Sequence, residues 1–253
     1  MPTPRTLARI VVPLACAALT IRAQAQSADT SKHRSVVTGA ISITNKGVSV
    51  IPTFTLGKPA ATIDLVVRKR RVSFEPQFRV ALDGKPWSFV FWGRYQLVQR
   101  ARFHVQAGAH PAVIFRRTTT TIGEATAEYL VARRYLATEF SPSYALTQHI
   151  NLSAYYLYSR GIEHDAVRNT NFLSARAALT GIPLSRGFVL QFDPQLYYLH
   201  TAGQHGYYAN SGVTLARHKL PASLSATANK PLQTNVTGGT AFLWNVSLNI
   251  AFR

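Results

Sequence analysis

Along most of this chain apolar and polar residues alternate with a period of two. In the stretch 72–82 the even positions are Val72, Phe74, Pro76, Phe78, Val80 and Leu82, and the odd ones are Ser73, Glu75, Gln77, Arg79 and Ala81. In the stretch 188–198, Phe188, Leu190, Phe192, Pro194, Leu196 and Tyr198 alternate with Val189, Gln191, Asp193, Gln195 and Tyr197. A period of two places successive side chains on opposite faces of a β-strand. Each stretch therefore has one apolar and one mostly polar face, with an acid and a glutamine on the polar face and a proline on the apolar one.

The same alternation predicts twelve strands, over 48–56, 61–68, 72–82, 87–99, 103–117, 128–146, 150–160, 171–184, 188–200, 207–218, 220–233 and 241–253. Val36–Thr44 alternates weakly and reads as a short leader strand at most. No useful helical period of 3.6 residues is visible. The connections at 69–71, 100–102, 147–149 and 185–187 are short, whereas those at 118–126, 161–169 and 234–240 are longer and polar. Short turns on one rim and longer loops on the other predict a closed, antiparallel, up-and-down all-β barrel of about twelve strands, within a range of ten to fourteen. Prolines 52, 76, 111, 142 and 194 fall in the half of the wall nearest the short turns. Each lacks the N–H that a ladder uses, so a bulge or bend is expected there.

Two arrangements use such strands. A soluble sandwich or lipocalin-like barrel turns its apolar face inward, and a membrane barrel turns it to lipid. Three features favour lipid. The apolar faces are nearly unbroken. Aromatics gather toward strand ends (Trp87, Tyr95, Phe103, Phe115, Tyr156, Tyr158, Tyr198, Phe242, Trp244, Phe252) as two girdles would. The other face carries Gln, Asn, Ser, Thr and Tyr rather than the Lys/Glu mixture of a solvated surface. The N-terminus reads as an export signal over residues 1–25, with Arg5 and Arg9, an apolar run at 10–19 and Ala23-Gln24-Ala25 as a cleavage site. Residues 26–46 follow as a polar leader, with 47–253 as the barrel. The one cysteine, Cys16, falls inside the signal, so no disulfide is expected in the exported chain.

These residues resemble those of a Gram-negative outer membrane β-barrel protein of the small, uncharacterised porin-like kind. The likeness rests on the leader, the dyad strands and the final "FLWNVSLNIAF" at 242–252, with Trp244, Val246, Leu248, Ile250 and Phe252 on one face. That ending is similar to the signal read by the barrel assembly machinery, although Arg253 follows the aromatic. The resemblance implies an outer membrane location, with membrane lipids and the assembly machinery as partners. Architecture of this kind is shared across many functions.

Charge narrows the function classes. The 253-residue chain is 15% charged, with 28 Lys+Arg against 10 Asp+Glu. Export and the lack of a matching motif argue against nucleic acid, and leave anionic membrane surfaces or anionic solutes. The lumen candidates are Glu75, Gln77, Arg79, Arg94, His104, Arg133, Glu139, Arg176, Asp193 and Gln195. Twelve strands spaced ~4.8 Å apart and tilted ~40° enclose a wall roughly 25 Å across, wide enough for a small solute. The candidates then form either a charge-selecting constriction, anion-preferring because the chain is basic, or a salt-bridged plug. Porin-like passage of small polar solutes is the first function expected. A non-conducting anchor or accessory subunit of an envelope complex is the second. An outer-membrane lipid hydrolase is a weaker third, because no nucleophile motif surrounds any serine and no triad spacing is evident. No cofactor or metal is expected; Glu163, His164 and Asp165 read as a solvated loop. Basic turns at 69–71, 100–102 and 217–219 suit lipid phosphates at the inner rim.

Overall fold

The computed structural model describes residues 35–122 and 125–253, excepting the side chains of 120–127 and 186. The signal predicted over 1–25 lies outside the described residues. Twelve strands pair in sequence order and close: β1 (Val36–Thr44), β2 (Ala60–Lys69), β3 (Val72–Ala81), β4 (Pro86–Gln99), β5 (Phe103–Ile122), β6 (Ala125–Ala145), β7 (Ile150–Gly161), β8 (Thr170–Pro183), β9 (Phe188–Thr201), β10 (Gln204–Arg217), β11 (Ala222–Thr234) and β12 (Leu243–Phe252). All neighbours are antiparallel, and β1 pairs with β12 from Gly39↔Phe252 to Thr44↔Ser247.

The strand number agrees with the alternation, but one member differs. Val36–Thr44 is a full wall strand, paired on both edges. The stretch 48–56 is not a strand. Its period-two residues belong to a loop built around a 3-10 turn, Pro52–Phe54. Pro52 sits at the start of that turn, where its missing N–H is harmless. The loop closes on itself, because Gly47 N–H donates to Lys58 O at 2.7 Å and Leu56 N–H to Gly47 O at 2.8 Å. Alternation cannot separate a wall strand from an extended segment that packs inside the wall.

The rims also differ from expectation. β5 and β6 run 20 and 21 residues, through most of the predicted 118–126 loop. The backbone ladder between them runs on through Thr118↔Tyr129 to Ile122↔Ala125. On this same rim the turns at 82–85 and 202–203 are tight, so the longer connections there are 45–59, 162–169 and 235–242. The other rim carries the short turns and both ends of the barrel chain.

The apolar faces point out. Ile41, Ile63, Phe74, Leu97, Leu136, Leu152, Leu173, Leu196, Leu224, Leu248 and Ile250 are all exposed, in a continuous outer band. Water would not tolerate a contiguous patch of that extent, whereas a hydrocarbon layer requires it. Trp87 is the exception among the predicted girdle residues. It is buried, turned in against the 45–59 loop by the bulge between Arg79 and Val80.

Pro76, Pro111, Pro142 and Pro194 do not cause bulges, whereas Pro86 and Pro231 sit at register shifts of their ladders. At Pro76 the β2–β3 ladder omits two pairs and resumes in the same register. Pro111 has the same effect between β4 and β5, Pro142 between β6 and β7, and Pro194 between β8 and β9. Four alternate interfaces are therefore loosened without a slip, and register shifts occur elsewhere. Pro52, in the inner loop, takes no part.

The seam is the mechanically exposed step of closure. A Cβ at Gly39 would overlap the Phe252 ring and approach Asp64 O. Glycine lets that ring lie across the neighbouring strand, the arrangement called aromatic rescue. Gly39→Val and Phe252→Ala are expected to leave the barrel unclosed and degraded, because an open strand edge cannot persist in hydrocarbon. Heat-modifiable mobility on unheated gels reads this directly, and folded yield equal to wild type for Gly39→Val contradicts it.

Candidate functional site

Three groups of lumen side chains are assembled from facing strands. In the first, Arg94 on β4 lies between two carboxylates. It donates from Nε to Glu139 Oε1 at 2.5 Å, and pairs with Glu75 on β3 through Nη1. The Glu139 side chain is 1% exposed. Its second oxygen accepts from Tyr155 Oη at 2.8 Å, and Ser73 Oγ donates to Glu75 at 2.7 Å. Arg94 also lies over the Trp92 ring at 4.3 Å. Gly108 makes room for the group, since a Cβ there would meet Glu139 Oε1 at 2.9 Å and Arg94 Cγ at 3.0 Å.

A second group spans β8 to β10. Arg176 donates to Asp193 at 2.5 Å, and Gln191 to the other oxygen at 2.6 Å. Gln195 donates to Ser174 Oγ at 2.9 Å and accepts from Asn210 at 3.2 Å. The third group holds Gln77 and Arg79 of β3. Arg79 donates to Gln77 Oε1 at 3.2 Å and lies 5.4 Å from the Trp87 ring.

Eight of the ten predicted lumen residues fall in these groups, and two lie elsewhere. His104 faces the lumen at the short-turn rim, opposite Ser143. It is four residues from Gly108, about 13 Å along a strand. Arg133 is at the opposite mouth, where it pairs with Asp165 of the 162–169 loop. Sequence reasoning missed Asp64, which faces the lumen opposite Gln77 on the neighbouring strand. With it, this part of the lumen wall carries Arg68, Arg79, Arg94 and Arg176 against Asp64, Glu75, Glu139 and Asp193. Those charges balance. The basic excess lies in the turns and at the mouths, so it does not supply a uniform anion-preferring field.

The outer half of the lumen is apolar and filled. Val90, Trp92, Ala112, Ile114, Tyr135, Ala137, Leu157, Phe172, Tyr197, Leu199 and Tyr208 form one buried cluster with Ala166 and Val236 of the outer loops. Ile51 and Phe54 of the 45–59 loop pack against it. Tyr197 stacks on Tyr208 at 4.7 Å, and Phe54 meets Tyr135 edge-on at 5.5 Å. The loop is tied to the wall through its carbonyls. Trp87 Nε1 donates to Phe54 O at 2.9 Å, Asn229 Nδ2 to Val50 O at 3.3 Å, and Arg116 to Thr53 O at 3.1 Å. These inward aromatics were detectable only as Tyr and Trp on otherwise polar faces (Trp92, Tyr155, Tyr197).

Between loop and wall lies a cavity of about 180 Å³, lined among others by Arg79, Ser88, His110, Trp87, Trp92 and Phe54. Ser88 Oγ and His110 Nδ1 are buried there without a hydrogen-bond partner. Serine and histidine thus share a cavity, but no hydrogen bond joins them and no carboxylate orients the ring. At this pair the geometry of a serine nucleophile and its base is not assembled.

A closed barrel with an apolar outer band and an enclosed polar and charged interior is built for a bilayer. The chain is a membrane-spanning β-barrel of the outer-membrane type. No family model matches the sequence, and no curated protein matches it. Among solved structures, the barrel is similar to the KdgM porin, with 9% identity, a TM-score of 0.52 and coverage of 85% of this chain and 99% of that one. It is similar to the NanC porin at 10% identity and TM-score 0.50, covering 86% and 100% of the two chains. It is also similar to an outer membrane channel from Pseudomonas putida F1 at 9% identity and TM-score 0.50, covering 85% and 94%. At such identities the likeness concerns the fold.

Two outcomes follow from the charges of this barrel. Arg94→Ala strands two carboxylates in the lumen, and removing one partner of a buried pair costs about 3–5 kcal/mol. Its unfolding midpoint in urea is expected to fall clearly, while Glu75→Gln with Arg94 retained falls less. Equal midpoints for wild type and Arg94→Ala contradict this. At the outer mouth, hydrogen bonds from the Arg117 side chain and then from the Lys85 N–H hold Asp83 down from 3.8 to about 2. A depressed carboxylate pKa means that the tie is complete above about 3.8 and is lost as pH falls through about 2. Carboxyl NMR titration is expected to place Asp83 near 2, and Arg117→Ala to return it toward 3.8; a wild-type value near 3.8 contradicts the assignment.

Proposed function

We propose that the barrel passes small polar solutes across the outer membrane, and that the 45–59 loop closes the path until it is displaced. The observation that carries this reading is that a separable segment contributes to the closure. The twelve-strand wall pairs completely without it, and the part that enters the lumen, residues 50–54, is tied to the wall by three side-chain bonds to its carbonyls. Those are bonds of ordinary strength, each worth about 1 kcal/mol net. The ion-paired polar lining on the short-turn side supports the same reading, because it offers hydrogen bonds to a hydrated solute. Two of the similar barrels bear the name porin and a third is a channel.

One observation favours the alternative, a non-conducting barrel that serves as anchor or accessory subunit. The outer-half cluster is packed to between 0% and 9% exposure, as in a barrel filled by its own side chains.

Planar bilayer recording separates the two. Wild-type barrel is expected to show small, intermittent currents. A variant with residues 48–56 replaced by a short Gly-Ser linker is expected to show larger, steady ones. Absence of current in both, with both correctly folded, overturns the passage reading.

A further inference from the structure

We infer that the cavity beneath the 45–59 loop is a binding site for a small aromatic monocarboxylate of about the size of benzoate. The inference rests on reading the lumen as a solute path, and it names the chemistry that this path holds beneath the loop.

The first ground is an uncommitted cation. Arg94, Arg176 and Arg133 each pair with a carboxylate, but among the described residues Arg79 is in no ion pair. It has Gln77 Oε1 and the Trp87 face as partners, while Asp64 acts on it only at longer range. A guanidinium has five donors in a planar fork that matches a carboxylate. Most of those donors are unused.

The second ground is independent of Arg79. Ser88 Oγ and His110 Nδ1 line the same cavity, are 4% and 9% exposed as residues, and have no partner. Buried polar atoms without partners are uncommon, and a ligand or ordered water that bonds to them is one way to satisfy them. Ser88 is the register partner of Arg79 on the neighbouring strand, and both line the cavity. A carboxylate seated on Arg79 can accept from Ser88 as well. In its Nδ1–H tautomer His110 adds a donor without adding charge.

Size and walls select the rest of the ligand. The cavity holds about 180 Å³. An apolar cavity of about 150 Å³ is sufficient for benzene. Trp87, Trp92, Phe54 and Tyr135 line this one, together with Val90, Ile114 and Leu157. Flat aromatic walls favour a planar ring, and one cation favours one negative charge. Ser49, Gln77 and Ser159 complete the polar part of the lining, and hydroxyls of a sugar acid that face the aromatic part would cost affinity.

The test uses the purified, detergent-folded full barrel at neutral pH. Trp87 and Trp92 line the cavity, so intrinsic fluorescence reports occupancy. Benzoate is expected to give a saturable change, and benzamide, the neutral near-isostere, to bind at least about tenfold more weakly. Arg79→Gln is expected to abolish the preference, and Ser88→Ala to weaken benzoate severalfold. Folding of each variant is checked by heat-modifiable mobility, and the benzoate–benzamide comparison on wild type stands without any variant. Equal affinity for the two probes overturns the inference, as does the absence of a saturable change up to about 10 mM. So does unchanged benzoate binding by folded Arg79→Gln. Binding is read at equilibrium without current, so its failure leaves the passage reading intact, and a barrel that binds benzoate but never conducts removes the passage alone.

Discussion

Backbone hydrogen bonding in a medium without water is the constraint on which this molecule depends. An unpaired N–H or C=O in hydrocarbon costs several kcal/mol, so a sheet that spans a bilayer must close. The β1–β12 seam performs that closure, and Gly39 under the Phe252 ring permits it. Once the sheet closes, the period-two alternation has one solution. Apolar residues face lipid, and everything else faces a common interior.

The interior then has its own constraint. Charges placed there cannot be left to solvent, and most are paired: Arg94 with Glu75 and Glu139, and Arg176 with Asp193. The prolines at 76, 111, 142 and 194 are related to this interior. Each ladder interruption includes a lumen residue: Glu75 beside Pro76, His110 beside Pro111, Tyr155 opposite Ser141 (the residue before Pro142), and Asp193 beside Pro194. The Glu-Pro-Gln and Asp-Pro-Gln stretches are thus wall features. They combine a lipid-facing proline, a locally open ladder and a lumen carboxylate, and each of the two acids binds an arginine from the next strand.

Division of the lumen into a polar inner half and an apolar outer half separates two tasks. The inner half balances four guanidiniums with four carboxylates. The outer half places a loop against aromatic residues, and the cavity between loop and wall, lined by Ser88 and His110, reaches down to Arg79 of the inner half. A narrow, mixed site of this kind discriminates among solutes by shape and charge together, whereas a uniformly charged ring discriminates by charge alone.

Period-two patterning by itself determined the class of fold, the lipid-facing residues and which candidates face inward, because alternation in a closed sheet admits one orientation. The strand count and the final strand from Trp244 to Phe252 were legible for the same reason. Tertiary structure decided the rest. Val36–Thr44 became wall and 48–56 became an inner loop, since both alternate and only pairing distinguishes them. Trp87 turned inward at a bulge that leaves no mark in composition. Ser88 and His110 carry no motif; they meet because β4 and β5 are neighbours in the barrel. Chemistry in a lumen is set by which strands face one another across it, and that relation has no local signature in the chain.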